Sequence, residues 1–156
     1  MYSSNAINVG EICSRTKNPS YCRRVLADIP DLTQEYLLHT AFLANNWADA
    51  NATNIYNQIT DMLRKATSAQ KGHLEHCHRL YFSCLHDIFA SSNALGSRDF
   101  FGFKKQATAF ANYAKLCEES FGSPPSTPSL LTKQNREFID LVDIVLAITD
   151  HLTEGQ

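Results

Sequence analysis

The chain has 156 residues, 44% of them hydrophobic and 19% charged, and a formal charge of −2. That length fits one domain able to bury its own core, and the composition excludes the disordered and membrane classes, with no apolar run near the roughly 18 residues of a membrane span. The near-neutral balance excludes the broad phosphate-neutralising surface of a nucleic-acid binder, so neither nucleic acid nor a membrane is an expected partner.

The N-terminus, MYSSNAINVG, has neither a basic region nor an apolar stretch. No secretion signal is therefore visible, and one already removed is the expectation for a mature form. The stretch EICSRTKNPSYC, Glu11 to Cys22, then places Cys13 and Cys22 around an Asn18-Pro19-Ser20 turn. A small hairpin set apart from the rest is expected there. The division of a single domain, 1–156, is into an extension at 1–30 and a main body at 31–153. Arg15, Lys17, Arg23 and Arg24 cluster on the hairpin and are expected to face water.

Neither Gly nor Pro occurs from Asp31 to Lys71. Within that block Leu38, Ala41, Asn45, Ala48, Ala52, Ile55, Ile59 and Met62 alternate in steps of three and four, which aligns them on one helix face, with Asp31 or Thr33 as the cap. A second block, from about Leu74 to Leu95, repeats the pattern with Leu74, Cys77, Tyr81, Cys84, Ile88 and Leu95. Gly96 is expected to stop it. The third, from about Asp99 to Phe121, carries Phe103, Ala107, Phe110, Ala114, Cys117 and Phe121 and ends before Gly122 and Pro124-Pro125. The fourth, from about Thr132 to Thr153, shows Phe138, Leu141, Val142, Val145, Leu146, Thr149 and Leu152, with Thr132 and Asn135 as a weak capping signal. Nothing alternates as strands do. Four amphipathic blocks joined by short turns predict an all-α fold, an antiparallel up-down-up-down four-helix bundle.

Five cysteines point to an oxidising compartment if some of them pair. With a turn at Gly96-Ser97-Arg98, Cys77 and Cys117 stand equally far on either side of it, both on inward stripes, so a disulfide needs no rearrangement. Cys84 would face the neighbourhood of Phe110, where no cysteine waits, and is expected to be a buried free thiol. Cys13 and Cys22 remain as a pair, spaced too widely for a redox CxxC or a zinc knuckle. On the chain-entropy model the two closures remove about 3 and about 4 kcal/mol of unfolded-state freedom.

HLEHCH, His73 to His78, raises a metal site, but His76 and His78 point far apart on a helix and Cys77 is committed, so no metal is expected. The GxSxG, HExxH, Walker and GxGxxG signatures are all missing, as is the ExxH pattern of bundle metal enzymes. The residues therefore favour a binding protein over an enzyme, with no cofactor and no small-molecule substrate. One sequon, Asn51-Ala52-Thr53, is a glycosylation candidate.

Several segments together resemble the plant invertase and pectin methylesterase inhibitor family. They are I-C-x2-T-x-x-P-x2-C from Ile12 to Cys22, C-x3-Y from Cys77 to Tyr81, C-E-x-S-F from Cys117 to Phe121, and LVDIVLAIT from Leu141 to Thr149. The resemblance implies a four-helix bundle preceded by a helical hairpin, disulfides joining first to second and third to fourth cysteine, and secretion to the plant cell wall or vacuole. It also implies a protein partner: a pectin methylesterase, whose pectin-binding cleft the bundle covers, or alternatively an acid invertase. The invertase branch carries a Pro-Lys-Phe loop, whereas GSRDFFGF, Gly96 to Phe103, looks more like the Gly-Asp-Tyr turn of the esterase branch, with Arg98 in place of the glycine. Leu116 replaces a frequent threonine, and Arg79, Ser83 and His86 stand where acidic side chains are common. The expected target-binding residues are the exposed members of the second and third blocks and their turn: Arg79, Ser83, His86, Asp99, Phe100 and Glu119. Tyr81, on the inward stripe, is expected in the core.

Overall fold

The computed structural model describes residues 7–29 and 32–154. Two short helices come first, α1 (Val9–Ser14) and α2 (Pro19–Val25), capped by Asn8 and Asn18. Asn18-Pro19-Ser20 is therefore the start of α2 and not the connecting turn. The Asn18 side chain accepts from the Tyr21 amide, and proline fits the first helical position because its missing N–H would go unused there. The chain reverses just before it, and Cys13 and Cys22 are bridged with their Cα atoms 5.4 Å apart. Paired backbone bonds between Ile7 and Leu32 tie the start of this hairpin to the entry of the next helix.

Four long helices follow: α3 (Gln34–Leu63), α4 (Ser68–Gly96), α5 (Phe100–Ser120) and α6 (Thr132–Glu154). Each packs against two neighbours, α3 and α5 both lying between α4 and α6, which makes an antiparallel bundle with α3 diagonal to α5. Thr33 caps α3, and Asp31 lies outside the described residues. Helix α4 starts well before Leu74. Thr67 and Gln70 form a reciprocal capping box, so polar Thr67-Ser68-Ala69-Gln70 begins the helix despite its lack of apolar periodicity.

The inward stripes expected for α4 and α5 are buried throughout. On α3 the first buried leucine is Leu37, while Leu38 and Met62 are half-buried at the margin. Leu146 of α6 is likewise marginal, while Asn135, Ile144, Ala147, Ile148 and His151 widen the buried arc well beyond one stripe. Both α1 and α2 pack on α6, and this second layer accounts for the width. Asn135 does not cap: it is buried, accepts from the Tyr81 hydroxyl at 2.6 Å and donates to Glu118 at 2.8 Å.

The α4–α5 turn also departs from expectation. Gly96 remains inside α4 without a positive φ, and Arg98, at φ 61°, takes the left-handed position. The Asp99 amide bonds back to Ala94 and the Arg98 amide to Leu95, the paired contacts of a Schellman ending with arginine where glycine is usual.

Candidate functional site

Helical periodicity decides what α4 offers to solvent. With Cys77, Tyr81, Cys84 and Ile88 inward, the opposite face presents Arg79, Phe82, Ser83, His86 and Phe89, all exposed. Phe82 is 62% and Phe89 80% exposed, seven residues apart on one side of the helix. Next to Phe82 the groove toward α3 holds Tyr56, its ring stacked on His78 at 4.1 Å, with the Thr60 hydroxyl 2.9 Å from that imidazole.

Helix α5 contributes Glu119, Leu116 and Phe101 to the exposed surface, the last 68% exposed. Phe100 is a correction: at 6% exposed it belongs to the core and cannot reach a partner without unpacking it. The reason lies one residue earlier. The Asp99 carboxylate accepts from the Gly102 amide at 3.0 Å and so starts α5, which turns Phe100 inward and Phe101 outward. Gly102 is required by this cap, because any side chain there would run into the Asp99 carboxylate. Asp99 is exposed but its carboxylate is engaged in the cap.

Arg79 and Glu119 come together across an open cleft of about 600 Å³ between the start of α4, the end of α5 and the proline-rich loop, residues 121–131, that joins α5 to α6. His73 forms its buried floor, its Nε2–H donating to the Pro125 carbonyl at 2.8 Å, which fixes the loop against α4. Ser83 and His86 lie further along α4. Asp99 stands at the far end, about 30 Å from Arg79 by the helical rise. The six expected residues therefore form no single cluster: two share a cleft, two follow it along α4, one caps a helix and one is buried.

On the loop side, Glu118 accepts from Ser129, Thr132 and Asn135 at 2.9, 2.6 and 2.8 Å. Burial alone would raise this carboxyl, but those three donors and nearby Arg136 outweigh it and hold it below the usual carboxylate value. Near the middle of the α4–α5 groove the Tyr113 hydroxyl donates to Asp87, and that bond, with burial, pushes the phenol up to about 12. Cys77 is bridged to Cys117, and Cys84 is a buried free thiol raised far above its ordinary range by burial. Among the described residues no group of three His, Cys, Asp or Glu side chains is placed to hold a metal. None of them forms a helix long and apolar enough to cross a membrane.

Four exposed aromatic or aliphatic side chains, Phe82, Phe89, Phe101 and Leu116, were missed by reasoning from motif positions. The signal was present: once the inward stripes are drawn, these are the large apolar residues left exposed on α4 and α5.

Comparison with known proteins agrees with this architecture. The family model described as "Plant invertase/pectin methylesterase inhibitor" matches residues 8–148. A pectinesterase inhibitor of Actinidia deliciosa is 30% identical over 145 residues, 92% of this chain and 78% of the relative. A Platanus orientalis protein provisionally named an invertase inhibitor is 25% identical over 142 residues, 89% of this chain and 84% of the relative. The crystal structure of a mutant form of an Arabidopsis pectin methylesterase inhibitor superposes with a TM-score of 0.81 at 20% identity, covering 93% of this chain and 97% of the other. With the helix order, the two disulfides and the leading hairpin in place, the chain belongs to the plant invertase/pectin methylesterase inhibitor family.

Proposed function

We propose that this protein inhibits a plant pectin methylesterase in a one-to-one complex, with the outer face of α4 and α5 laid across the pectin-binding cleft so that substrate cannot enter. Members of its family are inhibitor proteins and not enzymes. The observation that carries the choice of target is the 30% identity to the Actinidia pectinesterase inhibitor, extending over nearly the whole chain. An interface of this kind would bury roughly 1,600 Å² in total, and a rigid bundle face loses little entropy on docking.

Arg79, Ser83, His86 and Glu119 remain the proposed polar contacts, and Phe82, Phe89 and Phe101 join them as exposed apolar anchors. Aromatic side chains and arginines are the residues on which binding energy usually concentrates. Asp99 shapes the turn, and Phe100 is withdrawn from the contact set. The setting is the extracellular plant cell wall, where the two disulfides suit an oxidising compartment. Asn51, half-buried midway along α3, remains the glycosylation candidate, which an intact-mass measurement of natural material would check.

The second reading, an invertase inhibitor on the same scaffold, is favoured by the shared family description and the Platanus relative. Residual activity of a pectin methylesterase and of an acid invertase, each incubated with the purified protein, separates the two. Loss of esterase activity alone is the expected result. Loss of invertase activity alone would replace the first reading by the second, and loss of neither at micromolar protein against a panel of isoforms would remove both.

A further inference from the structure

Helix α6 is buried on two sides. Phe138, Val142, Val145 and Thr149 fill the bundle, while Ile144, Ala147 and His151 are buried although periodicity turns them away from its axis. The disulfide-closed hairpin of α1 and α2 packs on α6 and covers that second set. Three polar contacts fasten it, each ending on a carboxylate of α6. The Arg15 guanidinium engages both oxygens of Glu154, the Lys17 amide donates to Asp143 at 2.7 Å, and Asn18 Nδ2 donates to Asp140 at 3.1 Å.

His151 lies in this interface, 5% exposed. Its Nε2 is buried without a hydrogen-bond partner among the described residues, and its Nδ1 stands 3.6 Å from Glu154, outside hydrogen-bond reach. The charged groups around it are Glu11 and Arg15 on the hairpin, Asp150 and Glu154 on α6 itself, and Lys104 of α5, which is paired with Asp150. A neutral imidazole leaves one buried polar atom unmatched. An imidazolium would be worse: it would sit beside the Arg15 guanidinium, and its nearest carboxylate is already occupied by that guanidinium. Burial first, and then Arg15, hold His151 below the ordinary imidazole value against the opposite pull of Glu154, Glu11 and Asp150.

We propose that His151 is an acid-operated release for the hairpin: a proton on its imidazole favours a state in which α1 and α2 lift off α6 while the bundle and the Cys77–Cys117 bridge stay intact. The direction follows from linkage. A histidine that holds its proton more weakly when docked than when solvated stabilises docking fully above about pH 6.5, and that contribution is lost as the pH falls below it. Carboxylate protonation, the other way to loosen these contacts, lies well apart on the acid side, because the Arg15 guanidinium holds the Glu154 carboxyl below its ordinary value, so the two are separable.

Backbone hydrogen exchange on the intact chain at about pH 7.5 and about pH 5.5, corrected for intrinsic rates and referenced to α4, tests this. In the wild type the amides of α1 and α2 should lose protection severalfold at the lower pH while α4 does not change, and in His151→Gln the two values should agree. Hairpin protection independent of pH in the wild type, or an equal acid-dependent loss in His151→Gln, overturns the proposal. Should His151→Gln leave the hairpin unprotected at both values, the wild-type His151 ring titrated by NMR decides. A ring midpoint coinciding with that of the hairpin loss supports the release, and one displaced from it overturns it.

Discussion

Arg98 and Phe100 show how much one residue's conformation decides. A side chain at φ 61° crowds the backbone in a way that glycine does not, at a cost of about 1 kcal/mol. Arg98→Gly should therefore raise the stability of the protein by about that amount in a denaturant titration, since the Schellman bonds ask nothing of the side chain. The neighbouring aromatics separate packing from recognition. Phe100→Ala should cost about 3 to 5 kcal/mol because it empties a buried site. Phe101→Ala should leave stability within about 0.5 kcal/mol and weaken esterase inhibition. Thermal unfolding and an inhibition curve measured on both variants check the pair. If Phe101→Ala inhibits as well as the wild type, the exposed ring is not a contact.

At the scale of elements, helix starts and ends were harder to infer than helix faces. The stripes of α4 and α5 were legible because burial of a period-3.6 pattern leaves a direct trace in residue type. The start of α4 leaves none of that kind: Thr67 through Gln70 is polar, and what makes it helical is a reciprocal pair of side-chain bonds. The T-x-x-Q pattern was there to be recognised as a capping box. Thr67→Ala should cost about 1 kcal/mol, seen as a lower denaturation midpoint with an unchanged slope. Asn18-Pro19 misled for the related reason that a proline suits a turn and a first helical turn equally well.

For the whole molecule, Glu118 fastens the proline-rich loop and the start of α6 to the end of α5. Its carboxyl is held below the ordinary value, so its contribution to stability is present above about pH 4.5 and is lost as the pH falls through the lower, folded value. The wild type should lose stability over that acid range, and Glu118→Gln should lose less of it while being less stable at neutral pH; urea titrations at several pH values would show both. The sequence by itself determined the four amphipathic blocks, their antiparallel order and the inward position of the paired cysteines, because each of these depends on spacing along one helix or across one turn. Only the tertiary structure decided that α6 is buried on two faces, that the His151 Nε2 lies beneath the hairpin without a partner among the described residues, and that Arg79 and Glu119 share a cleft while Phe100 turns inward. Those outcomes depend on which surface a neighbouring element covers, a property of distances between segments far apart in the chain that residue periodicity does not encode.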